Sequence, residues 1–100
     1  MLQTDYHDGA LTAYITGELD HDAAANIRAQ LDGAVSALRP CQLTLDFSRV
    51  SFMDSSGVGL VLGRYRCMRL LGGRLSVVNI PQSIYKIFAI SGLERLGVLG

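Results

Sequence analysis

Between Gln42 and Phe47 the chain alternates strictly, with Leu43, Leu45 and Phe47 on one side of an extended segment and Gln42, Thr44 and Asp46 on the other. Successive side chains of a strand point to opposite faces, so this strand buries one face and leaves the other to water. On both sides of it the apolar period becomes helical. Ahead of it, Ala24, Ile27, Leu31, Val35 and Leu38 recur at helical spacing, with Asp20 as a cap and Arg39-Pro40 as a stop. Behind it, Val58, Val61, Leu62, Tyr65 and Met68 form an inward stripe, Arg64 and Arg69 are expected outside that stripe, and Gly72-Gly73 ends the helix. A half-buried strand between two amphipathic helices belongs to a sheet covered from one side.

The flanking segments extend this pattern. Leu2, Thr4 and Tyr6 alternate with polar neighbours, Asp8-Gly9 offers a hairpin turn, and Leu11 to Thr16 resumes with β-type composition. Arg74 to Ile80 reads as another strand, and Pro81 opens a third helix whose apolar face is Ile84, Ile87 and Phe88. Ser91-Gly92 stops it, and Gly97-Val98-Leu99 has room for a last short strand. The order is β-β-α-β-α-β-α, with that strand as an optional eighth element. Strand-helix-strand crossovers are right-handed, so crossovers that advance across the sheet in one direction put their helices on the same face. The expected architecture is a two-layer α/β fold, a mixed β-sheet with helices packed mainly on one face. One hundred residues fit a single domain, 1–100.

Charge narrows the function classes. Nine basic residues balance nine acidic ones, so no global field draws the chain to nucleic acid or to an anionic membrane. No apolar run reaches the roughly 20 residues of a membrane span, and Met-Leu-Gln-Thr-Asp lacks the basic region and apolar core of a signal peptide. A cytoplasmic location is expected. Cys41 and Cys67 are isolated, with no Cys-x-x-Cys spacing and no histidine cluster, so no metal site is expected and buried thiols are the default.

The chemistry-bearing stretch is Phe52 to Leu60, where an apolar segment stops at Asp54-Ser55-Ser56-Gly57 and a helix begins. Asp54 and Ser55 are both good N-cap residues, because a short side-chain oxygen accepts amide hydrogens that the first turn leaves unpaired. Ser56 then lies in the first turn, where the helix dipole favours a negative group such as a phosphate. The bland reading is that these residues merely start a helix. In parallel strands the carboxyl ends share one edge, so the turn Gly17 to His21 and the turn Met53 to Gly57 should be neighbours, with Asn79 and Pro81 at the same edge. Asp20 is either an N-cap or a contact for a partner's basic residue, and the two roles are compatible.

Ser56 as a catalytic nucleophile would need a base, and only His21 is a candidate, because His7 sits in the first hairpin and the Gly-x-Ser-x-Gly elbow is absent. Gly57 and Gly59 match neither phosphate-binding glycine motif; they serve close approach of the helix start or unusual backbone angles. Arg64, Arg66 and Arg69 read as a solvated helix face.

Thr16-Gly17-Glu18-Leu19-Asp20-His21, the run from Phe47 through Phe52 to Gly59 continuing into Gly63-Arg64-Tyr65, Gly72-Gly73 and Ile90-Ser91-Gly92-Leu93 together resemble a STAS domain of the anti-sigma factor antagonist family, most closely the sporulation-type antagonists. The resemblance covers nearly the whole chain. It implies a non-catalytic protein that binds an anti-sigma factor with serine kinase activity and so releases a sigma factor for transcription. It further implies that the kinase phosphorylates Ser56, that the phosphorylated form loses affinity, and that a metal-dependent serine phosphatase restores it. Asp20, His21, Asp54, Ser55, Ser56 and Gly57 would line the partner-binding face. ATP and metal would belong to the partners, leaving this domain without a cofactor. A monomer or weak dimer is expected. The chain ends at Gly100, earlier than many relatives, so a C-terminal helix that completes such proteins is expected either to be absent or to lie outside this sequence. The alternative is a non-catalytic scaffold or ligand-sensing STAS module in a signalling complex.

Overall fold

Asp8 and Gly9 adopt φ of 48° and 83°, the left-handed conformation a tight hairpin turn demands. In the computed structural model, which describes residues 1–100, Leu2–His7 (β1) therefore folds back on Ala10–Leu19 (β2) as an antiparallel pair. The chain then crosses through His21–Leu38 (α1) to Gln42–Met53 (β3), parallel to β2, and through Ser55–Leu70 (α2) to Arg74–Val78 (β4), parallel to β3. Gln82–Ser91 (α3) and a 3₁₀ turn at Leu93–Leu96 complete it. The sheet order β1-β2-β3-β4 means that both crossovers advance in one direction, which places their helices in one layer. This is the mixed, one-sided α/β sheet the periodicity predicts.

The core lies between the layers. Leu11, Ala13 and Ile15 of β2 and Leu43, Leu45 and Phe47 of β3 are buried against Ile27 and Leu31 of α1, Val61 and Met68 of α2, and Phe88 of α3. Phe47 meets Phe88 edge to face at 5.5 Å, the arrangement that ring quadrupoles favour. On the other face Thr12 and Thr44 are half-buried and Tyr14 is exposed.

β3 is longer than its simple alternation foretells. The period-two pattern ends at Phe47, yet pairing with β2 continues to Met53 because two register shifts intervene. Tyr14 pairs with Asp46 while Thr16 pairs with Arg49, and Gly17 pairs with Val50 while Glu18 pairs with Phe52. Each shift gives β3 one extra residue, the mark of a β-bulge, and each bulge turns the following side chains to the opposite face. Val50 and Met53 thereby return to the core out of period.

Several expectations change in three dimensions. Arg64 is 8% exposed, not outside the stripe, because Gly57, Val61, Arg64 and Met68 follow one helical line. Its Nε lies 3.3 Å from Asp32 Oδ1 across the α1–α2 seam, an ion pair without a well-aligned hydrogen bond. Cys41 is exposed, its side chain beside the Gly9 turn, and Cys67 is half-buried, because it lines the open end of the α1–α2 seam with Asp32, Val35 and Arg64. The segment Gly97 to Leu99 forms a single bridge from Leu99 to Val77 in place of a strand. Asn79, at φ 54°, ends β4 before Ile80.

Candidate functional site

The two bulges bring the ends of β2 and β3 level. Leu19 pairs with Met53, and the Asp54 amide donates to the Leu19 carbonyl at 3.4 Å, so the two helices start side by side. Each start is capped by an aspartate in extended conformation. Asp20 accepts the Ala23 amide at 2.9 Å, and Asp54 accepts the Ser56 amide at 2.8 Å. Asp54 is therefore the cap of α2, Ser55 is its first helical residue and is exposed, and Ser56 follows half-buried in the first turn.

Gly57 is buried beneath them. A Cβ there would overlap the Met53 side chain and stand 3.1 Å from Leu19 Cδ2. Its backbone is not left-handed, so of the two readings close approach is the one realised. A side chain of any size would push the first turn of α2 off the strand ends. A Cβ at Gly59, by contrast, would meet nothing within 4 Å, because that position faces open space.

That space is a cleft of about 470 Å³ between α1 and α2, lined by His21, Ala24, Ala25, Arg28, Ser56, Gly59 and Leu60. Ser56 Oγ stands 3.5 Å from His21 Nδ1, the outer limit of a hydrogen bond, so the hydroxyl is weakly held. No carboxylate pairs with His21, whose role as a general base would call for an orienting group. The arrangement presents a serine hydroxyl at a surface and does not assemble a triad.

Asp20, His21, Asp54, Ser55 and Ser56 thus come together on one ridge, with Gly57 underneath. Asn79 does not join them. β4 ends opposite Asp46, and β3 runs on seven residues from there to Met53, which leaves Asn79 low on the sheet. There its side-chain amide donates to Asp46 Oδ2 at 2.8 Å, while the Ser48 amide donates to Asp46 Oδ1 at 2.9 Å. Burial pushes the Asp46 carboxyl up, but the bonds from Ser48 and Asn79 and the charge of Arg49 outweigh it, and its pKa is net lowered.

Two residues escape sequence reasoning. Phe52 is 52% exposed two positions before Asp54, and because its neighbour Met53 enters the core, its ring stands on the wet face at the end of β3. Arg28 joins the cleft because it lies two turns from His21 on the same face of α1; that spacing is the signal that could have found it.

The STAS domain family model matches residues 1–98. The chain belongs to the STAS domain family. Among curated STAS relatives, the anti-sigma F factor antagonist of Paenibacillus polymyxa is 32% identical over 95 residues, covering 95% of this chain and 81% of that protein. The solved structure of the anti-sigma factor antagonist SpoIIAA in its unphosphorylated form superposes with a TM-score of 0.88 at 36% identity, over 100% of this STAS domain and 86% of that chain. The Bacillus cell fate determinant SpoIIAA in the phosphorylated form superposes at 0.79 and 36% identity, over 100% and 89%. This STAS domain is a homologue of the anti-sigma factor antagonists.

Proposed function

We propose that residues 1–100 act as one cytoplasmic anti-sigma factor antagonist domain, a non-catalytic binding switch. The observation that carries this reading is the state of Ser56: Asp54 performs the capping, so the Ser56 hydroxyl is left over at the surface of a helix start. In the unphosphorylated form the ridge of Asp20, His21, Asp54, Ser55 and Ser56, held on Gly57 and flanked by Phe52, docks on an anti-sigma factor and frees the sigma factor. That anti-sigma factor is itself a serine kinase. It moves the γ-phosphoryl group of ATP to Ser56: the P–Oγ bond forms, the bond to ADP breaks, and the hydroxyl proton passes to the kinase. Phosphate adds about −1.5 to −2 charges at neutral pH. Beside Asp20 and Asp54 this charge must be desolvated on docking, and affinity falls without refolding. A metal-dependent serine phosphatase hydrolyses the ester and returns the hydroxyl.

The test incubates the protein and its Ser56→Ala variant with ATP and anti-sigma kinases from the same genome, locates phosphate by peptide mass spectrometry, and measures kinase binding. Modification is expected at Ser56 and not Ser55, with loss of binding in the modified wild type and retained binding in Ser56→Ala. Phosphate on Ser55, or undiminished binding after full modification of Ser56, would overturn the switch.

A further inference from the structure

If Ser56 carries a phosphate, the group needs somewhere to go. The nearest backbone donor is already committed, because the Ser56 amide gives its hydrogen to Asp54 Oδ1 at 2.8 Å. The Gly57 amide is likewise taken, by the Asp54 carbonyl at 3.1 Å, so the first turn has too few free donors for three phosphoryl oxygens and side chains must complete the set. The cleft next to Oγ supplies both room and donors. Ala24, Ala25 and Gly59 contribute no side chain beyond a methyl group, which leaves the space between α1 and α2 open. His21 Nδ1 already stands 3.5 Å from Oγ at one end. Arg28 lines the same cleft two turns along α1, and no carboxylate of the protein forms an ion pair with it. An unpaired guanidinium beside a phosphate acceptor is the donor set that planar, two-pronged phosphate recognition uses.

We propose that phosphoserine 56 turns into the α1–α2 cleft and is clamped there by His21 and Arg28, an internal lock for the phosphorylated state. The inference rests on the reading of Ser56 as the phosphate acceptor and adds what that reading lacks, a defined off state. The clamp has two effects. It withdraws His21 from the docking ridge at the same time as the phosphate adds charge beside Asp20 and Asp54. It also shields the ester, so the phosphatase must compete with Arg28 for the phosphate.

The test needs no kinase. Phosphoserine is placed at position 56 during translation, and its second ionisation is followed by phosphorus NMR in the wild type and in Arg28→Gln and His21→Gln variants. The clamp predicts that the wild-type phosphate titrates about one pH unit below that of an unstructured phosphoserine peptide. Arg28→Gln should return most of that difference, and His21→Gln part of it. The Arg28 side-chain resonances should shift on phosphorylation, while amide resonances away from the cleft stay in place in both unphosphorylated variants. A phosphate that titrates like the peptide in the wild type, or identically in wild type and Arg28→Gln, would overturn the clamp. Failure of every kinase to modify Ser56 would instead remove the switch, and the outcome of the titration would stand by itself.

Discussion

The starts of α1 and α2 are built to one plan and finished differently. Both follow the end of a parallel strand, both have an extended aspartate as N-cap, and the two strand ends are paired at Leu19 and Met53. In α1 the first turn carries its own acid, Asp22, which complements the positive pole of the helix permanently. In α2 the first turn carries no acid; it has Ser55, Ser56 and a glycine pressed against Met53 and Leu19. One helix start has its charge built in, and the other keeps two hydroxyls where a charge can be acquired. The difference teaches that leaving the customary acid out of a helix start frees two hydroxyls at its positive pole.

The largest effect that sharpens this contrast is steric. Gly57→Ala should lower stability by about 1–3 kcal/mol in chemical denaturation, since the new methyl group meets buried side chains. Gly59→Ala, with open space around it, should be neutral or raise stability by up to about 1 kcal/mol. Equal effects at the two glycines would remove the distinction between a packed and an open face of α2. The caps come next. Asp20→Ala and Asp54→Ala should each cost about 0.5–2 kcal/mol, and a silent Asp54→Ala would break the shared plan. Charge in the first turn is the smallest: Asp22→Asn should cost about 0.3–1 kcal/mol at low salt, and Ser55→Asp should gain a similar amount, both fading as salt rises.

Acid tests the frame that holds the two starts level. The Asp46 carboxyl has a lowered pKa in the folded chain, so its contribution to stability is present above the ordinary value of 3.8 and is lost as pH falls through the folded value. Asp46→Asn should flatten that part of a stability-against-pH curve measured by thermal unfolding. A curve unchanged below pH 3.8 would show that the bonds from Ser48 and Asn79 do not favour the ionised form.

Legibility in the sequence followed the range of the interaction. Asp20 is readable as a cap, and the cap of α2 narrows to Asp54 or Ser55, because a cap is decided within three residues; α1 is readable because Ala24, Ile27, Leu31 and Val35 repeat regularly. Adjacency of the two starts followed from the parallel order. The second half of β3 was not readable, because a bulge is defined by a partner strand and Val50 and Met53 depart from the period it resets. Arg64 was assigned by its charge, although its spacing from Val61 and Met68 placed it on the buried line. Arg28 carried only its helical spacing from His21; its place beside Ser56 exists once α1 and α2 pack together.

The bulges in β3 have a consequence for insertions and deletions. Two extra residues make β3 long enough for Met53 to draw level with Leu19, so the position of Ser56 depends on the number of residues between Asp46 and Asp54 more than on their identity. Substitutions at exposed Ser48 or Ser51 leave that count intact. Removal of any one residue there would turn Met53 to the wet face and swing Ser56 away from His21. In this chain the spacing of that segment positions the ridge as much as the serine's own place in the helix does.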